Sequence, residues 1–142
     1  MDHQPPIHLN ENWLYLFVEN QRSNFSALDL DESMWIPLPL LSDWAVSSSV
    51  QSGADWFRRT FKLDDVNRQM NYRLIIDKVP ETVRVFVNGE LAGEAGGGQA
   101  FESDVSRVLR EGTNVIAVQL ICTSDRGGGV FGEVHIRSLR QR

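Results

Sequence analysis

The stretch Val83–Glu94, "VRVFVNGELAGE", reads as one short strand, an Asn-Gly pair and a second short strand. Asn-Gly supplies the positive φ angles of a type I′ turn, so the stretch predicts a β-hairpin reversed at Asn88. Val83, Val85 and Val87 fall on one face and are expected in the core. Thr82, Arg84, Phe86 and Asn88 are then expected on the opposite face, which sets Asn88 beside an exposed aromatic ring and a cation. Two roles for Asn88 stay open at this point: turn residue only, or part of a site.

Working outward, similar runs recur between turn signals at Trp13–Glu19, Trp56–Leu63, Tyr72–Lys78, Thr82–Asn88, Glu90–Glu94, Asn114–Cys122 and Gly132–Leu139. Each is short and rich in β-branched and aromatic residues, and none sustains a 3.6-residue period. This predicts an all-β sandwich or barrel rather than βαβ units. The one helical candidate is "SDVSRVLREG", one turn or two, with Ser103 or Asp104 as N-cap and Gly112 as stop. In "VHIRSL" the alternation buries Val134 and Ile136 and turns His135 and Arg137 outward. The polar or Gly-rich segments 20–33, 47–54, 95–100 and 123–129 are the expected loops. No internal repeat or interdomain linker stands out, so residues 1–142 are expected to form one domain.

Composition narrows the partners. The chain has 142 residues with 14 Lys and Arg against 19 Asp and Glu, a net charge of −5. A domain of this size buries roughly 68% of its unfolded surface and needs no disulfide or metal to fold. The basic residues are scattered, giving no stripe for a phosphate backbone, so nucleic acid is not an expected partner. No apolar run approaches the length of a membrane span, and the N-terminus lacks the basic and apolar regions of a signal peptide. The chain as written is therefore expected to be cytoplasmic, although one trimmed of its signal would read the same. Cys122 stands alone in "NVIAVQLIC" and is expected as a buried, inert thiol.

No catalytic constellation emerges. His3, His8 and His135 have neither i+4 partners nor cysteine neighbours, so zinc-type spacing is absent and no metal is expected. Asp64-Asp65 and the Asp29/Asp31/Glu32 group provide carboxylates, but close neighbours in polar loops are a poor match to two carboxyls positioned across a sugar. They read as solvated acidic loops. "AGGGQA" and "RGGGV" open no helix and carry no Lys-Ser/Thr, so they read as tight loops rather than phosphate cradles. Trp13, Trp35, Trp44 and Trp56 each offer either a core anchor or a flat face for a sugar ring. Core is the expected role of each taken singly, and Trp44, after the polar "SD", has the best claim to exposure.

Taken in order, "WIPLPLLSDW", "ADWFRRTFKL", "VRVFVNGELAGE", "GGGQAFESDVSRVLREGTNVIAVQL" and "GGGVFGEVHI" resemble the N-terminal sugar-binding domain of family-two glycoside hydrolases, the group of β-galactosidases, β-glucuronidases and β-mannosidases. The resemblance covers about residues 9–140. It implies a jelly-roll β-sandwich of the galactose-binding-domain-like type. It also implies that the catalytic carboxylates belong to a separate barrel domain, so the chain alone is expected not to be an enzyme. Asn88 matches the family's Asn-Gly turn, which in some β-galactosidases approaches the active site. The loop 123–129 matches the position of a longer acidic loop, making Asp125 its counterpart. "PLLSDW" is longer than the usual Pro-His-Asp-Trp before Trp44.

Two functions follow. One is a non-catalytic carbohydrate-binding module, with Asn88, Phe86, Arg84, Trp44 and Asp125 as candidate ligand residues and carbohydrate as partner. The other is a structural or docking domain that pairs with a glycoside hydrolase catalytic domain or with a second copy as a homodimer. No cofactor is expected, and no motif supports a structural calcium.

Overall fold

The computed structural model describes residues 3–20, 22–43, 53–122 and 130–140. Ten strands appear in chain order: β1 (His3–His8), β2 (Glu11–Val18), β3 (Ile36–Leu40), β4 (Gly53–Leu63), β5 (Met70–Ile76), β6 (Val83–Val87), β7 (Glu90–Ala95), β8 (Phe101–Asp104), β9 (Gly112–Cys122) and β10 (Val134–Arg140). They form two antiparallel sheets, one ordered β1-β10-β5-β8 and the other β3-β2-β4-β9-β6-β7. The result is the all-β jelly-roll sandwich expected from the sequence. Among the described residues, no helix is long and apolar enough to cross a membrane.

All seven expected strands are present, with ends shifted by a few residues. Three more escape the sequence pattern, each for a local reason. β1 and β3 carry Pro5, Pro6, Pro37 and Pro39, residues that argue against a strand unless it lies at an edge. Both strands are indeed edges on the same flank of the sandwich. Because Pro37 cannot donate to Leu14, its ladder partner, β3 must pair with β2 through Ile36 and Leu38, which turns the prolines to the outer side. That edge offers a neighbouring strand almost no N–H donors. β8 is only four residues long. The helical candidate is a single turn, with Leu109 N–H donating to the Val105 carbonyl at 3.1 Å and Asp104 accepting from Ser106 N–H at 2.9 Å. Gly112 ends it at φ 88°.

The core lies between the sheets. Val83, Val85 and Val87 are buried as the hairpin alternation demands, against Ile116, Val118 and Leu120 of β9 and Leu74, Ile76, Val134 and Ile136 of the facing sheet. Trp13 and Phe57 anchor the β2–β4 half, and the Trp13 indole N–H donates to the Leu9 carbonyl at 2.7 Å.

A second apolar cluster sits on the opposite side of the six-stranded sheet. Ala54, Trp56, Phe86 and Ala117 from the sheet pack against Trp35, Phe25 and Leu30 from the segment joining β2 to β3. That segment crosses the outer face and covers it. A strand with one face to solvent alternates in character, whereas this sheet is buried on both faces across its centre. Its strands are therefore more uniformly apolar than a solvated face allows, as "ADWF" and "NVIAVQLI" show.

Candidate functional site

The covered outer face corrects the expected exposure of Phe86. The ring is buried, stacked on Trp56 with centroids 5.8 Å apart and planes 29° apart. The cause is tertiary: residues 22–35 lie over the face that alternation assigns to solvent. Arg84, two residues earlier, lies beyond that cover and pairs with Glu94 across the hairpin at 3.2 Å, both side chains about half exposed. Trp44 and Asp125 lie outside the described residues.

Asn88 sits at φ 53° and Gly89 at φ 86°, the geometry expected of the turn. Its side chain does more than tolerate that geometry. The amide Nδ2 donates to the Val108 carbonyl at 2.7 Å and to Asn114 Oδ1 at 2.9 Å, while Oδ1 accepts from Val115 N–H at 2.8 Å. Asn114 is fully buried, accepts from Arg110 N–H at 3.0 Å and donates to the Arg110 carbonyl at 2.8 Å. Two carboxamides thus tie the β6–β7 turn to the β8–β9 connection. Both Nδ2 hydrogens of Asn88 are used, so its amide has no donor left for a sugar hydroxyl.

Charge on the outer face follows a pattern that the sequence conceals. Arg58 is 1% exposed, and its Nε donates to Glu32 Oε2 at 2.6 Å while an Nη hydrogen goes to the Phe25 carbonyl at 2.7 Å. Its guanidinium carbon lies 5.9 Å from the Trp35 ring centre. Glu32 is therefore no member of a solvated acidic loop; it neutralises a buried cation and closes the covering segment. Trp56 Nε1 adds a bond to Ser23 Oγ at 3.1 Å. Asp64 and Asp65 remain exposed. Arg59 points to the other side of β4, with its Nε buried and unpaired. Burial pushes this guanidinium below the ordinary arginine range, partly offset by Glu11.

Of the described tryptophans, Trp13, Trp35 and Trp56 are all buried, as expected of core anchors. The large apolar side chains that do face solvent are Met34, Ile36, Leu91, Val130 and Leu139. Among the described residues every Trp, Tyr and Phe is buried or half-buried, and no group of three or more His, Cys, Asp or Glu could hold a metal ion.

This geometry meets a known family. The family model "Glycosyl hydrolases family 2, sugar binding domain" matches residues 33–129. The chain belongs to that family. Relatives of this family 2 sugar-binding domain include a putative beta-glucuronidase of Formosa agariphila, 28% identical over an alignment of 125 residues, with 78% of this chain and 12% of the relative covered. A beta-galactosidase of Thermoanaerobacter pseudethanolicus is 28% identical over an alignment of 123 residues, with 80% of this chain and 16% of the relative covered. The family 2 domain thus spans a small fraction of the curated relatives it matches.

Solved structures agree on the fold. A beta-glucuronidase from an uncultured Clostridium sp. superposes with a TM-score of 0.77 at 17% identity, covering 99% of this chain and 30% of that one. A beta-glycosidase from Bacteroides vulgatus gives 0.77 at 20% identity, covering 95% of this chain and 20% of that one.

Proposed function

We propose that this family 2 domain is a non-catalytic β-sandwich that works by docking to a glycosidase catalytic domain, in the same polypeptide or in trans, rather than by gripping a sugar on the Asn88 face. The observation that carries the reading is that the candidate ligand residues described on that face already have partners within the chain. Phe86 is under the covering segment, Arg84 is paired with Glu94, and Asn88 has spent its amide on Val108 and Asn114. A stacking platform needs an exposed ring beside free polar groups, and the described surface offers none.

The surface offers instead the β3 edge, where Met34 and Ile36 stand exposed beside Pro37 and Pro39. Outward prolines deny strand addition, so a partner would meet this edge through side-chain packing. The relatives' names, beta-glucuronidase and beta-galactosidase, supply the class of catalytic partner proposed.

Carbohydrate binding is the second reading, favoured by the matched family's description as a sugar-binding domain. A glycan array on the purified chain separates the two. Docking predicts no glycan above background, whereas a glycan whose binding is lost in Arg84→Ala, with folding intact, overturns it in favour of a site on this face.

A further inference from the structure

His8 and His135 come from opposite ends of the chain and are direct partners across the β1–β10 ladder. Leu9 N–H donates to the Val134 carbonyl at 2.9 Å, so the 9/134 pair is hydrogen-bonded and the 8/135 pair is the non-hydrogen-bonded kind. Side chains approach most closely at such a pair. The two rings lie with centroids 6.3 Å apart and planes tilted by 41°. His8 is exposed and His135 half-buried on the open face of the four-stranded sheet. Among the described residues neither ring makes a hydrogen bond, so both have nitrogens available.

A Zn–N bond is about 2.0–2.1 Å, and an imidazole nitrogen lies about 1.1 Å from its ring centre, so two rings sharing one ion have centroids at most about 6.4 Å apart. The observed separation falls inside that limit. A tetrahedral angle would bring the centroids to about 5.2 Å, a closure that rotation of the exposed His8 ring can supply. Neutral imidazoles select borderline transition metals over hard cations such as Ca2+ or Mg2+. Arg137, two residues along β10 on the same face, is exposed, and its charge opposes a bound cation. The exposed acids Asp77 and Glu133 stand at the adjoining end of the β5–β10 ladder, where Asp77 N–H donates to the Glu133 carbonyl at 2.9 Å.

We propose that His8 and His135 form a two-imidazole site for a divalent transition-metal ion of the Zn2+ class, which staples the edge strand β1 to β10, with water completing the coordination. β1 pairs with β10 alone and is interrupted by a register shift between Gln4 and Ile7, so the ion would secure an interrupted edge strand of its sheet.

The test is calorimetric titration of Zn2+ into the chelator-stripped chain, with His3→Ala as background so that only the pair is read. One Zn2+ per chain is expected. His8→Asn and His135→Asn should each weaken binding about 100-fold, to the level of the double variant, because a chelate loses its second donor. Hydrogen exchange of the β1 amides should slow with Zn2+ in the His3→Ala chain and in neither variant. Should His135→Asn fail to fold, the exposed His8→Asn variant decides alone. Equal Zn2+ affinity in the His3→Ala chain and the double variant overturns the proposal.

Discussion

Asn88 and Asn114 hold one another: Nδ2 of the turn residue donates to the buried Oδ1 of its partner at 2.9 Å, and each carboxamide also bonds backbone of the β8–β9 segment. Turn chemistry alone would make Asn88→Gly nearly neutral, since Gly accepts the same positive φ. The network says otherwise. Asn88→Gly should cost about 2–3 kcal/mol, because three hydrogen bonds are lost and buried backbone partners are left unpaired. Asn88→Asp should be no milder, since it replaces the amide donor with an oxygen aimed at two acceptors. Urea unfolding measures both, and a change under about 0.5 kcal/mol for Asn88→Gly would return the residue to turn chemistry alone.

The covering segment rests on Arg58. Glu32→Ala leaves a buried guanidinium with the Phe25 carbonyl as its remaining acceptor, so it should destabilise by about 2–3 kcal/mol. Glu32→Gln keeps an oxygen for Arg58 Nε and should cost less. Equal unfolding midpoints for the two variants would show that the ion pair does not hold the segment down.

Gly53 opens β4 where no side chain fits. An added Cβ would lie 2.6 Å from the Val18 carbonyl oxygen and 2.7 Å from Phe17 Cζ. Backbone cannot give way as a flexible side chain can, so Gly53→Ala should lose about 1–3 kcal/mol. A thermal melt superimposable on the wild type would contradict the close approach.

Acid should weaken the β8–β9 connection. Hydrogen bonds from the Ser106 side chain and backbone hold the Asp104 carboxyl below its ordinary range, with a smaller pull from Arg73. A depressed carboxylate binds fewer protons folded than unfolded, so its contribution is present above the ordinary value of about 4 and is lost as pH falls through the lower folded value. Asp104→Ala should therefore flatten stability against pH below about 4 while changing little of the slope above about 5. An unchanged acid limb would remove Asp104 from that role.

The proposed docking role predicts that the purified chain does not hydrolyse nitrophenyl glucuronide or galactoside, a reaction that needs two carboxyls positioned across the sugar. Turnover that copurifies with the chain through two columns and falls in Asp64→Asn/Asp65→Asn would place catalysis on it.

The sequence alone determined the class of fold, the Asn-Gly hairpin, seven of the strands and the faces of Val83, Val85, Val87, Val134 and Ile136, because a two-residue side-chain period and a positive-φ turn are local properties written in adjacent residues. It also carried the family resemblance through motifs in order. It could not show β1 and β3, since prolines count against a strand until one knows that it lies at an edge. Nor could it show that Phe86 is buried, that Glu32 neutralises Arg58, that Asn88 is tied to Asn114, or that His8 faces His135. Each of these joins residues from different segments, and only closure of the two sheets and the crossing of residues 22–35 over the outer face bring them within contact distance.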